Sequence, residues 1–201
     1  MHRVQQRVRH INTNLYKQEL AKARLGDNIA NHMAFIFTNI LYDKFDLTFK
    51  QLTNYCNKTR ALRMAWQDDS NKDVTNESLL VYCMKKKIDV VGFVKSIPMS
   101  QKLYMADITK SRAVIGAERN IDSAFLATIL LTIPTLKETY RFSNAKIEEF
   151  FKWVAYFIDS YYRKQPGCKD HYLNDEMIRQ IFIEEEGWDI VEGCKVKEGN
   201  R

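Results

Sequence analysis

The chain has 201 residues, a formal net charge of +6, 45% hydrophobic residues, and only seven glycines and three prolines. That is enough apolar material for a core and too little turn material for a hairpin-rich sheet protein, so an all-α fold is expected. The most apolar run, Ala124 to Ile133, is too short to cross a bilayer, and Met1–Arg7 has basic residues with no apolar stretch behind them, so neither a membrane span nor a secretory signal is expected.

Residues 1–25 form the first expected element, a basic N-terminal helix with Val4, Val8, Ile11 and Leu15 at helical spacing. It carries Arg3, Arg7, Arg9, Lys17, Lys22 and Arg24 against Glu19, a balance of +5. A helix from Gly26 to about Asp43 follows, with Ile29, Met33, Ile36, Phe37, Ile40 and Leu41 on one face. The next start is legible at Leu47-Thr48-Phe49-Lys50-Gln51-Leu52. There Thr48 and Gln51 make a capping box, and Leu47 and Leu52 make a hydrophobic staple. The stripe continues through Tyr55, Cys56, Leu62 and Trp66 to a polar loop at 68–73. Val74 and Leu79 with Thr75 as cap open a short third helix through Leu80, Cys83 and Met84, and Ile88-Asp89-Val90-Val91 is expected to close the unit.

The same grammar returns in the second half. Asn120-Ile121 leads a helix through Phe125, Ile129 and Ile133. Ser143 then caps a helix with Phe142 and Ile147 as its staple, followed by Phe150, Phe151, Val154, Phe157 and Tyr161. Leu173 to Ile178 gives a third start, and Trp188-Asp189-Ile190-Val191 mirrors the first ending. The offset drifts from 92 to 100 residues, which points to an internal duplication. The expected organisation is therefore a basic arm at 1–25, a helical repeat at 26–92, a connector at 93–119, a second repeat at 120–192 and a tail at 193–201. In the connector, Pro98 should break any helix begun at Gly92. Six unrelated amphipathic helices in one bundle would still be all-α.

Catalytic chemistry is not visible. His2, His10, His32 and His171 form no ligand pair, and Cys168 with His171 is too small a set for zinc. Cys56, Cys83, Cys168 and Cys194 read as free thiols. The loop from Asp69 to Glu77 alternates oxygen side chains, but Val74 stands where a calcium loop needs glycine and Leu80 where it needs a carboxylate. Phosphate-binding glycine motifs and a nucleophile elbow are absent from the sequence, and Glu184-Glu185-Glu186 reads as a solvated face. No enzyme activity, metal or cofactor is expected.

Charge is the remaining signal. Arg3, Arg7, Arg9, Lys17, Lys22 and Arg24, joined by Lys85, Lys86 and Lys87, are the candidate contacts to DNA or RNA, and Lys102, Lys110 and Arg112 would extend that surface. Residues 120–201 hold eleven basic and fourteen acidic side chains, a balance of −3 that suits a basic groove on a protein partner.

The phrase Phe45-Asp46-Leu47-Thr48-Phe49-Lys50-Gln51-Leu52, the helix after it, Val74 to Leu79 and Ile88-Asp89-Val90 resemble a module of uncharacterised helical proteins from phages and mobile elements of Gram-positive bacteria. Tyr140 to Ser143 through Glu186-Gly187-Trp188-Asp189-Ile190 is similar and keeps the glycine that Lys87 replaces. The resemblance implies a non-enzymatic phage-type accessory protein in the cytoplasm of a bacterial host. That class includes anti-CRISPR-like inhibitors of defence nucleases, so the implied partner is a host protein such as a nuclease complex. Direct DNA or RNA binding through the basic N-terminal segment is the alternative.

Overall fold

The computed structural model describes residues 25–68, 70–106, 117–163, 188–189 and 194–195. The described core is helical. Helix α1 is described over residues 25–43, followed by α2 (Phe49–Gln67), α3 (Asn76–Lys85), α4 (Val90–Ser96), α5 (Met99–Met105), α6 (Ala117–Pro134) and α7 (Asn144–Arg163). Pro134 offers no backbone N–H, and beyond it the chain widens into a π turn at Thr135–Thr139 before α7. A two-residue antiparallel ladder, β1 (Trp188–Asp189) with β2 (Cys194–Lys195), departs from the purely helical expectation. The helices expected over residues 1–25 and from Leu173 onward lie outside the described residues, apart from Leu25.

The apolar stripes become the core. Ile29, Met33, Ile36, Phe37, Ile40 and Leu41 of α1 are all at most 1% exposed, and they meet the equally buried Ile121, Phe125, Ile129 and Ile133 of α6. Ile147, Phe150 and Val154 of α7 close over the same centre, with Leu52 and Tyr55 of α2. Burial of this kind stabilises by about 25 cal/mol for each Å² of apolar surface withdrawn from water. Among the described residues no buried side-chain polar atom lacks a partner. Thr38 and Thr132 satisfy their hydroxyls by donating to the carbonyls of Ala34 and Thr128, one turn earlier.

The caps form where the sequence places them. Thr48 accepts from the Gln51 amide while the Gln51 side chain accepts from the Thr48 amide, and Thr75 and Ser78 make the same reciprocal pair. Ser143 accepts from the Lys146 amide.

Asp89, in the segment expected to close the first unit, opens a helix. Its carboxylate accepts from the Gly92 amide at 2.8 Å and starts α4. Met84, on the third helix, is 67% exposed. The break at Pro98 does occur: α4 stops at Ser96, and Pro98 then leads into α5, which packs against α6 and α7.

The turns joining α1 to α2 and α6 to α7 are built alike. The Leu47 amide donates to the Leu41 carbonyl at 3.0 Å, and the Phe142 amide donates to the Leu136 carbonyl at 3.1 Å. Asp46 and Arg141, each one residue before the staple residue, both hold φ at 52°. Every one of these second positions lies 95 residues beyond its partner. The cross-contacts follow the same register. Phe37 packs on Phe150 at 5.2 Å, and the matching pair, Tyr55 and Thr132, meet at 3.4 Å. Lys44 sits 4.6 Å from the centre of the Trp153 ring, while Lys58 donates to Thr139 at 3.1 Å. Adding 95 to Phe37 and Lys44 gives Thr132 and Thr139, and subtracting it from Phe150 and Trp153 gives Tyr55 and Lys58.

Candidate functional site

Of the cations that the sequence marks as nucleic-acid contacts, Lys85, Lys86 and Lys87 are described, whereas Arg3, Arg7, Arg9, Lys17, Lys22 and Arg24 lie outside the described residues, as do Lys110 and Arg112. The lysine triplet falls at the end of α3, where cations meet the negative end of the helix dipole. Lys87 takes φ of 59° so that the Ile88 amide can reach the Cys83 carbonyl at 3.0 Å, closing the helix end.

That end leans on the α6–α7 turn. Asn144 donates from its side-chain amide to the Lys86 carbonyl at 2.9 Å and accepts from Lys137 at 2.9 Å. Glu138 accepts from the Tyr82 phenol and lies 3.6 Å from the Lys86 ammonium. The Tyr82 hydrogen bond, helped by the Lys86 charge, holds the Glu138 carboxyl below its ordinary range. From the other side Tyr140 donates to the Gln51 carbonyl at 2.6 Å, and Lys58 reaches Thr139. The turn therefore collects Lys58 from α2, Lys85, Lys86 and Lys87 from α3, and Lys137, Arg141 and Lys146 of its own, with Glu138 among them and Glu148 and Glu149 one turn into α7. Helix α2, which supplies Lys58, has no acidic residue over its whole length. Lys58 escapes sequence reasoning because its approach to Thr139, 81 residues away, depends on how α2 packs against the turn.

Lys102 does not join this surface. It is 3% exposed, and its ammonium donates to Asp122 at 2.7 Å, while the neighbouring Gln101 donates to Asp159 at 2.8 Å. A phosphate cannot reach it.

A second feature is an open cleft of about 520 Å³ between α1, α2 and α6. Its floor is made of small and hydroxyl side chains, including Ala30, Ala34, Ala124 and Thr128, and its α2 wall presents Arg60, Arg63 and Trp66. Arg63 crosses the mouth to Asp27 of α1 at 2.6 Å. Nothing in the sequence marks this cleft, because small residues on a helix read as ordinary packing.

Neither feature contains a nucleophile–base pair. Burial pushes the Cys83 thiol up to about 11 and raises that of Cys56, which disfavours the reactive thiolate in both. Tyr55 is raised far above its ordinary range by burial. Among the described residues no three His, Cys, Asp or Glu side chains come together to hold a metal ion, and no helix is long and apolar enough to cross a membrane. The loop at 68–76 uses its oxygens internally: Asp68 accepts from Ser70, and Asn71 accepts from the Asp73 amide. Comparison with protein-family models, with curated proteins and with solved structures finds no match.

Proposed function

We propose that the chain is a non-enzymatic binding protein whose working surface is the basic turn between α6 and α7, laid against the phosphates of a nucleic acid. The observation carrying this reading is the convergence of Lys58, Lys86 and Lys137, from three separate elements, on Thr139, Glu138 and Asn144, with Arg141 two residues beyond Thr139 in the chain. Cations fixed on helices exchange counterions for phosphates, so binding would be tight at low salt and largely indifferent to sequence. A gel-shift titration of duplex DNA and RNA across salt concentrations tests it. Replacing Lys58, Arg141 and Lys146 by alanine is expected to weaken binding and to flatten the salt slope by about one for each lost phosphate contact. No binding even at low salt, or an unchanged slope in the triple variant, would reject it.

One observation favours the other reading, a phage-type accessory protein seated on a host protein in the bacterial cytoplasm. Val81 and Met84, 43% and 67% exposed, stand one turn apart on α3 beside the lysine triplet. Exposed methionine adapts readily to a partner surface. Capture of one defined host protein by the wild type, and its loss on Met84→Glu, is the expected result there. Capture unaffected by that change would exclude this face.

We also infer that residues 26–92 and 120–192 are copies of one three-helix unit. The like-built turns and the exchanged contact pairs support the first two helices of each copy, and the counterpart of α3 falls outside the described residues.

A further inference from the structure

The outward side of α7 carries aromatic rings that the core does not use. Ile147, Phe150, Val154 and Ile158 turn inward, whereas Lys146, Trp153 and Tyr156 share another side of the helix. Tyr156 is 55% exposed and Trp153 is half-buried. The two rings meet edge-on, with 5.8 Å between centres and 89° between planes, and Tyr156 meets Phe157 in the same manner at 5.9 Å. Lys44, just past the end of α1, holds its ammonium 4.6 Å from the centre of the Trp153 ring, a cation–π contact that fixes the ring in place. A lone surface tyrosine needs no explanation. Here it is the exposed end of a run of rings that starts two helical turns from the basic turn.

We infer that this run is a stacking platform for the bases of a single-stranded nucleic acid whose phosphates lie on the α6–α7 turn. The inference deepens the nucleic-acid reading above and rests on it. Continuity is the first argument. Helix α7 starts at Asn144, directly after the turn, so cations and rings form one surface. From Lys146 to Trp153 is about 10 Å along the helix axis. That is roughly three nucleotides at the ~3.4 Å rise of a stacked strand.

Charge gives the second argument. Lys44, Lys146 and Lys152 are interspersed with Asp43, Glu148 and Glu149, and Lys44 is paired with Asp43 at 2.7 Å. Glu149 stands on the ring side of α7, between Lys146 and Trp153. Attraction for phosphate therefore fades away from the turn, and what this side of α7 offers instead is contact with the uncharged face of a base. The third argument is the form of the strand. In a duplex the base faces are covered by their neighbours, and only backbone and groove edges reach a protein surface. An unpaired strand exposes the π-face that tryptophan and tyrosine stack on, with little regard to sequence. The cations thus supply the salt-dependent part of binding and the rings the part that salt does not touch.

Fluorescence anisotropy with the full chain tests this, using labelled oligothymidylate and oligouridylate of about ten nucleotides and a hairpin duplex of equal phosphate count. At equal salt both single strands are expected to bind about tenfold or more tightly than the duplex. Trp153→Ala and Tyr156→Ala should each weaken single-strand binding by about fivefold or more. Both should leave the duplex affinity and the salt slope as they are, because neither side chain carries charge. Tyr156→Phe keeps the ring and should bind like the wild type. Tyr156 is exposed enough to be removed without loss of the fold, which thermal unfolding of the variant checks. Quenching of tryptophan emission by unlabelled oligothymidylate, present in the wild type and lost in Trp153→Phe, is a readout independent of affinity. Duplex bound as tightly as single strand overturns the inference, as does undiminished single-strand binding by Tyr156→Ala or emission unchanged at saturation. In each of those cases the phosphate-binding turn still stands, whereas failure of every polymer to bind at low salt rejects the turn as well.

Discussion

The ring of Phe37 lies 5.2 Å from that of Phe150, tilted by 53°, and both side chains are at most 1% exposed. A second buried contact, between Tyr55 and Thr132, joins a phenol and a hydroxyl at 3.4 Å. One contact is therefore wholly apolar and the other polar, and a buried polar pair that must find its partner helps to specify how these helices pack.

Phe150 also meets Phe45 at 6.4 Å, so its loss empties the space between α1, the turn after it and α7. Phe150→Ala is expected to cost about 3–5 kcal/mol, read from the urea midpoint. Tyr55→Phe removes only the phenol oxygen. Thr132 keeps its bond to the Thr128 carbonyl, and the expected cost is about 1 kcal/mol.

Lys87 holds a left-handed backbone at φ of 59° at the end of α3. A side chain there costs on the order of 1 kcal/mol that glycine does not, so Lys87→Gly should raise stability by roughly that amount. Thermal unfolding of the two proteins checks it, and a lower midpoint in the variant would refute the strain.

The Lys102–Asp122 pair is asymmetric, with side chains 4% and 49% exposed. Asp122→Asn strands a buried ammonium and should cost about 3 kcal/mol or more. Lys102→Met leaves a carboxylate that water can reach, and should cost far less. Equal losses in the two variants, measured by denaturant titration, would mean that the ammonium is not sealed in α5.

Burial raises the Cys83 thiol from about 9 to about 11. Between those values the unfolded chain has released its proton and the folded chain has not, so this group withdraws stability as pH rises through the window. Cys83→Ala should flatten the fall in melting temperature across it. Peptide-resolved alkylation at neutral pH should find Cys83 slow to react in the folded protein.

Much of the helical skeleton is legible in the sequence because caps and staples are local. Thr48 with Gln51, Thr75 and Ser143 satisfy amides only three residues away, and a short window of sequence contains the whole interaction. The same locality makes Asp89 misleading. Ile88-Asp89-Val90-Val91 looks like an ending, and only the 2.8 Å bond to Gly92 reveals a helix start. A Cβ on Gly92 would lie 2.1 Å from the Asp89 carboxylate, so glycine there is part of the cap. Lys102 looks like a surface cation in the sequence because Asp122, its partner, stands twenty residues away on another helix. The basic turn is half visible: the lysine triplet announces itself, but Lys58, Lys137 and Arg141 come together only through folding. The cleft leaves no mark, since Ala30, Ala34 and Ala124 read in the sequence like the alanines of any packed helix.

The equivalence of the two hairpins is tested most directly by a crystal structure of the full chain, with residues 25–67 superposed on 120–162. The expected result is a match in the register that pairs Leu47 with Phe142, related by a half-turn that exchanges the Phe37–Phe150 contact with Tyr55–Thr132. Hairpins that open at different angles, or that match only in another register, would contradict it.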